Sequence, residues 1–449
     1  MDKRAIANGC VVTMNAGRKV LPGGTVLISG SRIEGVLPAE AAVPEGYERI
    51  DARGCAVLPG LVNAHTHLYS ALGRSLSFNE ELTQWLETQK GLIAQFDDED
   101  FAACIEVGLA LNLRSGNTCV VDAMALPADA AHRYPVALDL AERYCLQYTL
   151  ARAYTDQRMS SDYIENVVAI ERSVSELIET YHGASDGRLR LQLFPNMAWA
   201  LSIEGFRMTR RLADKYGIGM QMHTAESPAY PVLIEKAYGH GSDVRVYQQG
   251  GCLGPDVQLL SCAHLGDEDF EIIARTGTRV ILDPISGTTI GTGLPPTLRV
   301  MGNGNPTALA TNGMASAGGQ DMFEAMKTLL SLARVEAYDP LCISAMRALE
   351  MATIEGARAL GLDSEIGSLE PGKRADVICV QMDQLYQAPA LDVPATLVFS
   401  CNSRDVRDVF ANGQWVVRDR KLLVADEAAL ADRAAKRASA AWARTHHAS

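Results

Sequence analysis

The chain has no Cys-x-x-Cys pair, no apolar run of the roughly 18 residues that a membrane helix needs, and no stripe of basic residues. Each absence removes a class of function. The ten cysteines are scattered, so neither a disulfide framework nor a cysteine-built zinc site is expected, and a reducing cytoplasm is the compartment that fits. Net charge is −13. With no basic stripe to offset it, a nucleic-acid partner is not expected, and neither is a membrane. The start Met1-Asp2-Lys3-Arg4 is not followed by an apolar stretch and a small-residue cleavage site, so no secretory signal is expected. No Gly-x-Gly-x-x-Gly follows a first strand, which argues against a dinucleotide-binding fold.

What the chain does have is size and pattern. Its 449 residues can hold a barrel of roughly 250 residues or more and a second domain besides. Both ends are β-rich. Val11-Val12-Thr13-Met14 and Thr25-Val26-Leu27-Ile28 read as strands around the turn Pro22-Gly23-Gly24. Near the other end Val377-Ile378-Cys379-Val380, Ala395-Thr396-Leu397-Val398-Phe399 and Val406-Arg407-Asp408-Val409-Phe410 read the same way. Each end is too small for its own core, so residues 1–56 and 363–425 are expected to form one discontinuous β-sandwich. Residues 426–449 are Ala/Arg-rich and are expected to be a helical tail. In between, over 57–362, eight buried-strand candidates end near His65, Asp122, Ala151, Leu193, His223, Ala263, Leu282 and Ala310. Helix-like segments such as 98–113, 202–216 and 267–275 follow most of them, so the expected fold class is α/β, a (β/α)8 TIM barrel.

The chemistry-bearing residues fall at the ends of those strands. His65 and His67 are two apart, and on a strand such residues face the same side. His223 and His264 each end or follow an apolar strand, at the barrel face where such enzymes build their active sites. Imidazole suits zinc, iron, nickel or copper. His132, His182, His240, His446 and His447 lie in helical, loop or tail contexts and read as structural or solvated. Glu226, three residues past His223, places a carboxylate where a hydrolase needs a group to move protons between water and a leaving group.

Longer segments around these positions resemble a known family. Leu58-Pro59-Gly60-Leu61-Val62-Asn63-Ala64-His65-Thr66-His67 is similar to the first barrel strand of the amidohydrolase superfamily. So are His223-Thr224-Ala225-Glu226, Cys262-Ala263-His264-Leu265, Asp321-Met322-Phe323-Glu324-Ala325-Met326 and Ile366-Gly367-Ser368-Leu369-Glu370-Pro371-Gly372-Lys373. Together they resemble the subgroup of triazine hydrolases, guanine-type deaminases and thioadenosine or homocysteine-nucleoside deaminases. The resemblance implies one divalent transition metal per chain, zinc first and iron(II) second, activating water for attack on a ring carbon that bears an amino group or halide. It implies His65, His67 and His223 as metal ligands, Glu226 as acid and base, His264 as a contact of the activated water or the substrate, and a homodimer or larger assembly.

The departures from the family are as specific as the matches. Asn312 stands where the family has an aspartate that both ligates the metal and takes a proton from water. A carboxamide oxygen can coordinate, but it is neutral and a very poor base. In Ile281-Leu282-Asp283-Pro284-Ile285-Ser286-Gly287 the family's histidine before Asn/Cys-Pro, and its asparagine after the serine, are replaced by Leu282 and Gly287. Asp283 there is either a replacement base or a cap before Pro284. Met314-Ala315-Ser316-Ala317-Gly318-Gly319 also lacks the family's asparagine after serine. Leu82-Thr83-Gln84-Trp85-Leu86 resembles the family's substrate-covering helix, with Trp85 and Gln89 as candidate substrate contacts. Trp85 also has helical spacing with Leu82 and Leu86, a pattern more often found in a core residue. Gln84 stands where nucleoside deaminases carry a ribose-binding glutamate, which argues against a nucleoside.

The expected function is therefore metal-dependent hydrolysis of a carbon–nitrogen bond, foremost deamination, in a small nitrogen heterocycle. Two alternatives remain open at this level. One is hydrolysis of an amide, urea or carbon–halide bond with Asp283 or Glu226 as sole base. The other is a metal-poor pseudoenzyme that binds a ligand in the same pocket.

Overall fold

A computed structural model describes residues 3–447, and there the chain ends and the chain middle form two separate sheets. Met1, Asp2 and the side chains of His446 and His447 lie outside the described residues. The first sheet is built from β1 (Lys3–Val12), β2 (Val20–Ser29), β3 (Arg32–Leu37), β4 (Glu48–Asp51) and β5 (Cys55–Pro59). The barrel strands follow: β6 (Leu61–Thr66), β7 (Asn117–Met124), β8 (Gln147–Ala153), β9 (Leu189–Phe194), β10 (Met220–Thr224), β11 (Val257–Ser261), β12 (Arg279–Leu282) and β13 (Thr307–Leu309). The chain then returns to the first sheet with β14 (Val377–Gln381), β15 (Val406–Ala411), β16 (Gln414–Arg418) and β17 (Lys421–Leu422).

The discontinuous domain is one nine-stranded mixed sheet in which β14 pairs antiparallel with β5, joining the two chain ends. Its strands alternate as a two-sided sheet must. Cys55, Val57, Val377 and Cys379 enter one core with Ile6, Val26 and Phe410, while Ala56, Leu58, Ile378 and Val380 turn to the core shared with the barrel. The small sheet runs to Pro59, so the crossover to the barrel falls at Gly60, slightly later than the sequence suggests. A Cβ at Gly60 would lie 2.0 Å from Thr118 Oγ1, so only glycine fits this crossing.

The barrel strands are buried on both faces, as a covered parallel sheet requires. Val120, Leu259, Val280, Leu282 and Leu309 pack outward into the main core, while Val121, Leu260, Ile281, Ala308 and Ala310 belong to the small inner clusters. Parallel pairing is continuous from β6 through β13. Between β13 and β6 the barrel is closed by polar groups. The Asn63 carboxamide donates to Thr311 Oγ1 at 2.8 Å and Gln320 Oε1 at 2.9 Å, and the Asn312 N–H donates to the His65 carbonyl at 3.1 Å.

One expected strand is a helix. Residues Val393–Phe399 are helical although 395–399 is rich in strand formers. Asp392 caps the segment by accepting the Ala395 N–H at 3.0 Å, and Pro394 sits in the first turn. A capped start with proline inside it outweighs β propensity over so short a run. The C-terminal helix Glu427–His447 packs on α2 (Asp98–Arg114), with Arg437 paired to Asp97 and Arg444 to Asp100. No helix among the described residues is long and apolar enough to cross a membrane.

Candidate metal centre and active site

β10 places Gln221 and His223 on the side opposite Met220 and Met222, which pack into the outer core. β6 delivers His65 at its end and His67 just beyond it. The three histidines converge, with candidate ligand atoms all within 4.8 Å of one another. The His65 and His67 Nε2 atoms are 3.2 Å apart.

Each imidazole is oriented through its other nitrogen. His65 Nδ1 meets Gln221 Oε1 at 2.9 Å, and Gln221 is itself oriented because its amide donates to the Ala64 carbonyl at 2.9 Å. His67 Nδ1 meets the Ala123 carbonyl, and His223 Nδ1 meets Asn196 Oδ1 at 3.2 Å. Oxygen acceptors at Nδ1 require the proton there and leave each Nε2 lone pair free for a metal. The turn bearing His67 is tied by Asp122, which accepts the Leu68 N–H at 2.9 Å and the Tyr148 hydroxyl at 2.7 Å. Burial holds the His67 imidazole down at about 4, and burial also drives His65 and His223 well below the ordinary histidine range. Neutral imidazoles with free, converging Nε2 atoms fit a divalent transition metal.

Glu226 is buried beside this cluster. Burial, together with the nearby Asp283 charge, pushes its carboxyl up to about 8, against the pull of the Tyr230 hydroxyl that donates to Oε2 at 3.1 Å. Both Glu226 and His223 line a cavity that opens to solvent. Its apolar wall includes Leu82, Trp85, Leu86 and Ile93 of α1 (Leu82–Ile93), facing Met159 and Met197. Trp85 thus lines the cavity, as does Gln89. The Gln89 amide is engaged with Gly73 O and Ser77 Oγ, both at 3.2 Å, and so ties α1 to the turn after His67. Gln84 is exposed and absent from the lining, so its identity carries no weight for or against a ribose.

Three residues singled out from the sequence sit differently from expectation. His264 does not line the cavity; its Nε2 meets the Thr292 carbonyl. The loop can come this close because residue 293 is glycine, where a Cβ would lie 2.9 Å from that nitrogen. Asp283 does not line the cavity either, and it makes no side-chain cap at the turn before Pro284. Its Oδ1 accepts from Ser261 Oγ at 2.8 Å and its Oδ2 from Asn312 Nδ2 at 2.7 Å. Asn312 lines the cavity, but its Nδ2 is turned to Asp283 and its Oδ1 accepts the Gly313 N–H at 2.7 Å. Sequence reasoning missed Gln221, Asn196 and Tyr230. Gln221 was findable, since it lies two residues before His223 on the same side of a strand. Asn196 and Tyr230 carry no comparable signal.

The chain is similar to known proteins along nearly its whole length. The chain is 32% identical to the 5'-deoxyadenosine deaminase of Methanosarcina barkeri over 96% of this chain and 97% of that one. It is 31% identical to the 5-methylthioadenosine/S-adenosylhomocysteine deaminase of Desulforudis audaxviator, over 92% and 94%. An adenosine deaminase structure from Xanthomonas campestris with bound zinc superposes with a TM-score of 0.91 at 25% identity, covering 98% and 99%. The zinc complex of atrazine chlorohydrolase from Arthrobacter aurescens shares the fold, with a TM-score of 0.91 at 23% identity over 97% and 99%. With residues 56–416 matching the Amidohydrolase family as a whole, the chain belongs to that family.

Proposed function

We propose that this protein deaminates a small aminated nitrogen heterocycle, with His65, His67 and His223 holding one divalent metal, zinc first. The observation that carries the reading is the pairing of three converging imidazoles with a buried glutamate whose carboxyl lies up at about 8. When bound, the metal would supply Lewis-acid polarisation of water and of the ring. The chain's own residues do the rest. Glu226, ionised, accepts a proton from the attacking water and returns it to the departing amino nitrogen, so that the ring carbon exchanges an amino group for oxygen and ammonia leaves. Tyr230 holds the Glu226 carboxylate in place through Oε2. Trp85, Met159 and Met197 offer flat, polarisable apolar surface for a planar ring. The relatives' names make adenine nucleosides such as 5'-deoxyadenosine the first substrates to assay.

The test is ammonia release by zinc-loaded protein from 5'-deoxyadenosine, adenosine, aminopyrimidines and aminotriazines. At least one should turn over, and Glu226→Gln should lower that turnover roughly 10²-fold or more while leaving zinc content intact. Release from none of them, or a Glu226→Gln variant as active as wild type, overturns the reading.

A further inference from the structure

The ends of three consecutive barrel strands are joined by a row of side chains. Ser261 ends β11, Asp283 follows β12, and Asn312 follows β13. Ser261 Oγ donates to Asp283 Oδ1 at 2.8 Å, and Asn312 Nδ2 donates to Asp283 Oδ2 at 2.7 Å. The row continues to the metal-binding strand, because the Asn312 N–H donates to the His65 carbonyl at 3.1 Å and Thr66 Oγ1 donates to the Asn312 carbonyl at 2.9 Å. Asn312 also leads directly to Gly313, where a Cβ would lie 3.0 Å from His67 Cβ.

The orientation of Asn312 is decided by chemistry. The Asp283 carboxylate, when ionised, only accepts, so the Asn312 NH2 must face it. The Gly313 N–H only donates, so the Asn312 oxygen must face that. Both contacts agree on one rotamer. The carboxamide is therefore committed, and the carboxylate lies one hydrogen bond behind the cavity wall. Three neutral imidazoles around a divalent cation leave two positive charges in a buried place, which calls for compensating anions close by. Glu226 stands on the cavity side but changes its charge as it moves a proton, whereas Asp283 stands behind the wall with both oxygens engaged.

We propose that Asp283 is the counter-charge of this metal centre, set behind Asn312, which couples the two by holding Asp283 with its amide while its backbone is fixed to His65. Asp283 is then a positioning and charge-balancing residue, and Asn312 is neither ligand nor base. The proposal rests on the reading that His65, His67 and His223 hold the metal.

The test is zinc affinity, measured by competition with a chromophoric chelator on the metal-free full chain, with melting temperature measured alongside. Asp283→Asn keeps the shape and removes the charge, and its NH2 can donate to the Ser261 hydroxyl oxygen while its carbonyl still accepts from Asn312. It should weaken zinc binding about 10- to 100-fold, the usual scale for partners standing behind metal ligands, with little change in the melting temperature of the metal-free protein. Affinity within about threefold of wild type overturns the proposal. Should Asp283→Asn fail to fold, Asp283→Glu and Ser261→Ala carry the test, since both disturb the hydrogen bonds and keep the charge. Both should hold zinc within about threefold of wild type, and a tenfold loss in either shows that the contacts matter and the charge does not. Wild-type protein that takes up no zinc overturns this proposal and the ligand assignment together. Protein that shows these affinities and deaminates nothing keeps this proposal and overturns the proposed function.

Discussion

Tyr230→Phe should move the pH profile of the enzyme without changing its shape. The Tyr230 hydroxyl donates to Glu226 Oε2 at 3.1 Å, and both groups are buried. A hydrogen bond to an ionised group is worth roughly 1.5–3 kcal/mol, and 1.36 kcal/mol corresponds to about one pH unit. The bond favours the ionised form, so its loss raises a carboxyl that burial already holds up at about 8. Only ionised Glu226 can take a proton from water, so the acidic limb of kcat/KM should move to higher pH by about one to two units. At pH 7 the variant should lose about 10- to 100-fold in kcat/KM, and well above the shifted limb it should approach wild type. The assay is kcat/KM for the best substrate of the panel across pH 5.5–10.5, with zinc content checked at each end. A limb displaced by less than about 0.3 unit, or a loss equal at every pH, would refute the claim that Tyr230 acts through the charge of Glu226.

Other consequences can be checked separately. His65→Ala combined with His67→Ala should abolish zinc uptake by elemental analysis, since one imidazole cannot hold the ion; unchanged zinc content would sink the ligand assignment. Because Glu226 binds a proton more tightly folded than unfolded, its burial costs nothing below the ordinary carboxyl range, and stability is lost as pH rises from there towards about 8. The melting temperature of metal-free protein should therefore fall over that window, and fall less in Glu226→Gln. Trp85→Ala should raise KM about tenfold with kcat nearly unchanged, the scale of one aromatic contact on a ring; an unchanged KM would place Trp85 outside the substrate's reach. Gln320→Leu should cost roughly 2–4 kcal/mol in denaturant unfolding, because its Oε1 accepts from Asn63, Asn112 and Thr311 where the barrel closes.

Much of this was legible in the sequence, for physical reasons that differ by element. The barrel strands are short, largely apolar runs buried on both faces, and helices with clear caps lie between several of them. Asn166 caps Val167–Tyr181 and Ser202 caps Ile203–Tyr216 through local contacts that need no tertiary context. Part of the histidine cluster was legible because strand periodicity alone aligns His65 with His67. The helix Val393–Phe399 was misread because its strand formers were weighed and its Asp392 cap and Pro394 were not.

The positions of Asp283, Asn312 and His264 were beyond the sequence, and the reason is geometric. Strand spacing says that a residue ends a barrel strand, but it does not say whether the side chain turns to the cavity, to the neighbouring strand or to a covering loop. For Asp283 the choice is set by Ser261 and Asn312, which are 22 and 29 residues away along the chain. For His264 it is set by the Thr292 carbonyl, 28 residues on. An aspartate at a strand end near the histidine cluster invites the role of base, whereas an aspartate whose two oxygens are already engaged by a serine and an asparagine is better placed to balance charge than to move a proton. Of the carboxylates that line the cavity among the described residues, Glu165 is paired with Arg152, which leaves Glu226 as the one free to move a proton beside the histidines. The role of Asp283 also explains why the chain can carry asparagine at residue 312: the negative charge the centre needs is held by the neighbouring strand, one hydrogen bond away.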